Sequence, residues 1–241
     1  MKQCNLLGYV NSIETMGLVD GPGIRVVVFL QGCSLRCLYC HNPETWNCNV
    51  GQKMSACDIL EKVQRYKSYI SKNGGVTFSG GEPLLQSEFV YECAKKLKNE
   101  GFHICVDTAG VGNYFDDLLD IVDLFIVDVK SIYDEEYKMI TGKIIDEFKS
   151  FMNKIQSKNK KIWIRQVIVP DINDDEKHVI DLANYVNSLS GVEKVELLAY
   201  HAMAKEKYDK LNIRYRLDGV DNISNTKMEY LRSVLNSHLR G

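Results

Sequence analysis

The stretch Ile24-Arg25-Val26-Val27-Val28-Phe29-Leu30-Gln31-Gly32 decides the fold. It is rich in β-branched residues and almost wholly apolar. A strand buried on both faces reads this way, and such strands belong to parallel sheets covered by helices. Downstream, Ser55–Ser71 places Ile59, Val63, Tyr66 and Ile70 on one helical face, with Ser55 as N-cap. Gly75–Ser79 is a short strand that runs into Gly80-Gly81-Glu82-Pro83. Leu85, Phe89, Cys93 and Leu97 recur every four residues, which predicts a helix. Strands are predicted at Phe102–Thr108, Leu124–Val129 and Lys161–Val169, the last stopped by Pro170. Helices are predicted at Tyr114–Ile121, Tyr133–Thr141 and Asp146–Ser157. Asp174–Leu189 is another, with an acidic first turn that suits the helix dipole. Val192–Ala199 makes a sixth strand and Thr226–Leu239 a final helix.

Six β–α alternations imply a parallel sheet with helices outside. They are too few for a closed eight-fold barrel of ~250 residues. The expected fold is therefore α/β, an incomplete (β/α)6 parallel barrel. Residues 1–241 read as one domain, with a short extension over about 1–20 and a C-terminal helix over about 226–241. In such folds chemistry gathers at the carboxyl ends of the strands. Cys33, Gly80-Gly81-Glu82, Asp107-Thr108, Asp128 with Lys130, and Tyr200-His201 all fall there, and Arg165 lies in the fifth strand. That convergence argues for an enzyme.

Composition excludes several classes. The chain has 241 residues, 45% hydrophobic and 26% charged, with a net charge of −2. This is ordinary globular composition, neither disordered nor basic enough to imply nucleic acid. No apolar run reaches the ~18–20 residues of a membrane span. The first 30 residues show no signal-peptide pattern, so a cytoplasmic location is expected. Eight cysteines stand out. A core of this size needs no disulfide staples, and disulfides are rare in the cytosol. The question becomes which cysteines bind something.

Cys33, Cys37 and Cys40 are spaced C-x3-C-x2-C on a tight loop after the first strand. Thiolates suit zinc or iron–sulfur centres. Structural zinc wants four protein ligands. His41 adjoins Cys40 and is poorly placed to share its ion, and Cys48 is the other candidate. A four-iron cluster fits better, because three thiolates leave one iron open to substrate. Cys93 and Cys105 suit packing positions. Cys4, Cys48 and Cys57 read as bystander thiols.

The triplet, with Tyr39 before its last cysteine, resembles the signature of the radical S-adenosylmethionine (SAM) superfamily. The resemblance extends to Val19-Asp20-Gly21-Pro22-Gly23-Ile24-Arg25, Tyr39-Cys40-His41-Asn42 and Ser79-Gly80-Gly81-Glu82. It continues through Asp107-Thr108, Asp128-Val129-Lys130, Trp163-Ile164-Arg165, Tyr200-His201 and Leu217-Asp218-Gly219-Val220. This ordered set is similar to the glycyl-radical-enzyme activases. There is no insert of extra C-x2-C-x2-C runs before Gly80, which favours the type that acts on pyruvate formate-lyase.

The resemblance implies a [4Fe-4S] cluster on Cys33, Cys37 and Cys40, and SAM bound at the open iron. Reductive cleavage of SAM would give a 5′-deoxyadenosyl radical that takes hydrogen from a glycine Cα of the partner. It implies SAM contacts from Tyr39, Cys40, His41, Gly80, Gly81, Glu82, Asp128, Val129, Lys130, Arg165 and His201. Asp20 would lie near the partner's glycyl loop. Asp107, Thr108 and Asp128 would hold a monovalent cation. Reduced flavodoxin or ferredoxin would supply the electron. A monomer is expected, since a protein substrate must reach the site. The other readings are an activase of a different glycyl radical enzyme, and a non-enzymatic zinc or iron–sulfur protein.

Overall fold

The buried stretch read first is strand β2, Arg25–Leu30, in the computed structural model, which describes residues 6–70 and 73–240. β2 pairs in parallel with β4 (Gly75–Gly80), β4 with β5 (His103–Thr108), and β5 with β6 (Leu124–Asp128). β6 pairs with β7 (Lys161–Ile168) and β7 with β8 (Val192–Ala199), again in parallel. These are the six predicted strands. Two more were not expected: β1, Leu7–Gly17, and β3, Gln52–Ser55. They add to the sheet antiparallel, in the order β3-β1-β2-β4-β5-β6-β7-β8. The sheet ends at β3 and β8 and does not close, so the incomplete barrel stands with an antiparallel margin.

Alternation along each strand makes two faces. Val76, Phe78, Ile104, Val106, Phe125, Val127, Ile162 and Ile164 point outward into the main apolar core under the helices. The helices over it are α1 (Ala56–Gln64), α3 (Ser87–Asn99), α4 (Asp116–Ile121), α6 (Asp146–Ser157), α7 (Glu176–Asn187) and α9 (Asn225–His238). The intervening residues point inward. Low on that face Cys105, Leu124, Ile126 and Trp163 form a small apolar cluster. Higher up the inward residues turn polar: Ser79, Asp107, Asp128, Arg165 and Glu196. The inward face therefore gathers its carboxylates toward the carboxyl ends of the strands, while Arg25 is buried at the other end against Thr77.

Local signals explain the boundaries. Ser55 and Asp58 form a reciprocal capping box that starts α1. The long helix expected over Ser55–Ser71 breaks into α1 and a short α2, Lys67–Ile70. Ser71 and Gly241, expected helix ends, lie outside the described residues, as does Cys4. α5, Asp134–Thr141, stops at Gly142, whose φ of 77° is left-handed. A short helix α8, Lys205–Lys210, follows His201 and was not predicted.

Candidate active site

A cavity of about 430 Å³ opens at the carboxyl ends of the parallel strands, a size in the ordinary range for ligand sites. The loop after β2 brings Cys33, Cys37, Tyr39, Cys40 and His41 to one wall. Gly80 and Gly81 at the end of β4, Asp107 and Thr108 of β5, and Asp128 and Lys130 at the end of β6 form the adjoining walls, with His201 beyond β8. Ser79, Val167, Leu198 and Ala199 also line it and were not predicted. Val167 and Leu198 lie two residues on from the inward-facing Arg165 and Glu196, so strand alternation was the signal available for them.

The cysteine loop is pinned from two sides. Arg36 N–H donates to the Thr141 carbonyl and Leu38 N–H to the Ile140 carbonyl, both at the end of α5. On the other side Gly32 and Cys33 donate to the carbonyls of Thr45 and Trp46. The Tyr208 hydroxyl of α8 donates to the Cys40 carbonyl at 3.1 Å. Burial and neighbouring carboxyl and thiol groups push the Cys33 thiol up to about 12. Cys37 rises to about 11 and Cys40 also rises, in both cases chiefly by burial. These thiols keep their protons until a metal displaces them. Among the described residues no group of three or more His, Cys, Asp or Glu side chains is placed to hold a metal ion. Cys33, Cys37 and Cys40 pack together with Leu35 and Val111 at the cavity wall, and three thiols suit a multi-iron group with one thiolate per iron.

The Gly80-Gly81 edge depends on the absence of side chains. Gly80 has a φ of 106°, and a Cβ there would lie 2.4 Å from the Leu30 nitrogen. A Cβ on Gly81 would lie 2.2 Å from the Gly32 carbonyl oxygen. Backbone from the cysteine loop and from this turn therefore meet closely. Glu82 does not line the cavity. It is buried behind it, where its carboxyl accepts from Thr108 Oγ1 at 2.5 Å, Ala109 N at 2.9 Å and Leu84 N at 3.1 Å.

Burial pushes Glu82 up to about 7 in spite of those bonds. A carboxyl that holds its proton more tightly in the folded state stabilises the fold when protonated. That stability is present below the unfolded pKa and is lost as pH rises from ~4.5 toward 7. The cofactor-free protein should lose on the order of 3 kcal/mol across this window from Glu82. Glu82→Gln should flatten that part of the profile, and melting temperature against pH checks it. An equal slope in the variant would contradict the assignment.

Asp128 is ion-paired with Lys130, and the Lys130 ammonium lies 5.4 Å from the Tyr39 ring centre. Asp128 Oδ1, His201 Nδ1 and the Tyr39 hydroxyl are buried without a hydrogen-bond partner. Buried polar atoms are normally satisfied, so these three point to a polar ligand. His41 Nε2 lies 3.2 Å from the His201 carbonyl, and the two rings are 4.2 Å apart. Burial holds His41 below the usual imidazole range. Asp107 accepts from Ser79 Oγ at 3.0 Å, and burial pushes it up to about 6.

Three predicted residues besides Glu82 stand off the cavity. Val129 is packed in the core, its N–H bonded to the Arg165 carbonyl at 2.7 Å. Arg165 donates from Nε to Glu196 at 3.0 Å and from Nη2 to the Val19 carbonyl, and lies 3.9 Å from Asp107. Asp20 sits in the loop that Arg165 holds, and its carbonyl accepts from Thr77 Oγ1 at 2.6 Å. Burial raises the Asp20 carboxyl. Of the remaining cysteines, Cys93 and Cys105 are buried and free, and Cys48 is exposed and does not line the cavity. Cys57 is disulfide-bonded, which corrects its reading as a bystander thiol.

Residues 27–183 match the family model of the radical SAM superfamily. The chain is 46% identical to a pyruvate formate-lyase-activating enzyme of Clostridium pasteurianum over 232 residues, covering 95% of this chain and 98% of the relative. It is 38% identical to a pyruvate formate-lyase 1-activating enzyme of Escherichia coli over 239 residues, covering 97% of each. A crystal structure of a domain of pyruvate-formate lyase-activating enzyme from Bacteroides vulgatus superposes with a TM-score of 0.56. That match has 23% identity and covers 68% of this chain and 94% of the other, so it speaks to the fold alone.

Proposed function

The chain belongs to the radical SAM superfamily and, within it, to the pyruvate formate-lyase-activating enzymes, and on that premise we propose how its residues install a glycyl radical on pyruvate formate-lyase. The observation that carries the reading is one cavity wall. Cys33, Cys37 and Cys40 stand there beside the Gly80-Gly81 edge, and unpartnered atoms of Asp128 and His201 belong to residues lining the same cavity. When bound, the [4Fe-4S] cluster and SAM supply a one-electron cleavage whose 5′-deoxyadenosyl radical takes hydrogen from a glycine Cα.

The protein's part is to bind, orient and shield. The three thiols give up their protons on loading, so assembly is favoured as pH rises. Gly80 and Gly81 offer backbone at close range to the methionine amino group, and Glu82 fixes that turn from behind through Leu84 and Ala109. Lys130 neutralises a carboxylate, and the free Oδ1 of Asp128 accepts from ribose hydroxyls. Tyr39, His41 and His201 close around the base. Val129 and Arg165 act at one remove: Val129 ties β6 to β7, and Arg165 holds the loop bearing Asp20, which meets the glycyl segment. Asp107, Thr108 and Asp128 supply the hard oxygens a monovalent cation prefers. Leu35, Val167 and Leu198 wall the cavity against water.

The proposal includes one domain over residues 1–241, a monomer, a cytoplasmic location, and reduced flavodoxin or ferredoxin as donor. Among the described residues no helix is long and apolar enough to cross a membrane. Anaerobic reconstitution tests the reading. It should give ~4 iron per chain, as three thiolates plus an open iron require. With SAM and reductant it should then release 5′-deoxyadenosine. Tightly held zinc in place of iron, with no 5′-deoxyadenosine, would falsify it.

A further inference from the structure

The cysteine loop meets the surface beneath a basic face. Arg36, between Cys33 and Cys37, is exposed, and its guanidinium lies 4.8 Å from the Trp46 ring centre. Arg216 is exposed and donates to the Arg36 carbonyl. Arg214, two residues earlier, is exposed while Tyr215 between them is buried. Lys143 follows Gly142, which lies against the Arg36 side chain. Two acids beside it are engaged, Asp218 with Lys205 and Glu44 with Lys207, while Glu206 and Asp209 of α8 and Asp146 are exposed and, among the described residues, form no ion pair. Among the described residues Arg36, Lys143, Arg214 and Arg216 form no ion pair. Four unpaired positive charges gather here in a chain whose net charge is −2.

Beneath them runs an aromatic path. Trp46 meets Tyr208 edge to face with ring centres 5.7 Å apart, and the Tyr208 hydroxyl bonds the Cys40 carbonyl. Trp46 itself is only partly buried. The face thus joins positive charge, a half-buried indole and a short route to a cysteine of the triplet.

We propose that this face, built on Arg36, Lys143, Arg214 and Arg216, docks an acidic one-electron carrier protein of the flavodoxin type, and that Trp46 and Tyr208 mark the point of electron entry. The inference rests on the proposed function, since it needs a cluster on Cys33, Cys37 and Cys40. The carrier is oxidised by one electron and the cluster reduced by one, with no bond made or broken. Complementary charge raises encounter rates by roughly 10–1,000-fold, and salt screens the effect.

The test is stopped-flow reduction of the reconstituted protein by reduced flavodoxin at low salt. Lys143→Glu with Arg214→Glu reverses two charges while leaving Arg36 on the cysteine loop intact. The rate should fall about tenfold and converge on the parent's at high salt. Lys62→Glu with Lys96→Glu, on α1 and α3, should reduce at the parent rate. A small photochemical reductant should reduce all three proteins alike. Equal slowing by both pairs of reversals, or by neither, overturns the docking face. Loss of iron in the first variant overturns it too, because the face would then be structural. A parent protein that assembles no reducible cluster removes the functional reading itself, and the docking face with it.

Discussion

Cys37→Ser should leave the reconstituted chain with less than about one iron, against ~4 in the parent. Cys37 lines the cavity between Arg36 and Leu38, whose N–H groups are bonded to the end of α5. The loop is held by backbone, so the substitution removes a ligand without removing the loop. The cofactor-free variant should therefore melt within about 2 °C of the parent, as expected for a change below 1 kcal/mol at this size. Cys105→Ser is the converse. Cys105 is free and fully buried in the small inner apolar cluster. Its hydroxyl would be buried there with His103 Nδ1, 3.7 Å from the Cys105 thiol, as a neighbour to bond, so the cost should be on the order of 1 kcal/mol, yet iron should stay at the parent level. Iron analysis beside thermal melting separates the two. Full iron in Cys37→Ser would remove the cluster assignment.

Asp128→Ala should destabilise the cofactor-free fold by about 3 kcal/mol and abolish SAM cleavage. Its partner Lys130 is only 8% exposed, and its ammonium would be left buried beside the Tyr39 ring with no carboxylate. Breaking a buried pair from one side is costly because the other charge remains. Lys130→Met added to Asp128→Ala should restore most of the stability, since a matched apolar replacement is often near neutral. It should not restore cleavage, because Asp128 and Lys130 both line the cavity and the proposed SAM contacts of both are then gone. Melting temperature and 5′-deoxyadenosine yield, measured on both variants, distinguish the two roles. Recovery of cleavage in the double variant would make Asp128 merely structural.

Much of this was legible before the structure. The three cysteines follow a strand whose apolar run admits little other reading. Asp128 and Lys130 flank one residue at a strand end, which puts both side chains toward the same wall. β1 was not legible for a physical reason. Register shifts between Val10 and Ser12 and between Glu14 and Gly17 break its two-residue alternation. β3 is only four residues long, too short for a pattern. Arg165 shows a different limit. An apolar strand that carries an arginine must give it partners, but only the fold shows that Glu196 and the Val19 carbonyl take it. Glu82 was legible as a site residue, while its place behind the turn was not. The disulfide at Cys57 left no mark in the spacing.

The central claim is that the cavity serves a glycine on another protein. The direct measurement is electron paramagnetic resonance of pyruvate formate-lyase after anaerobic incubation with the reconstituted chain, SAM and reduced flavodoxin. A glycyl radical signal on the lyase, absent when SAM is omitted or when Cys37→Ser replaces the parent, is the expected result. An iron-loaded chain that cleaves SAM yet leaves the lyase without a radical would contradict the account.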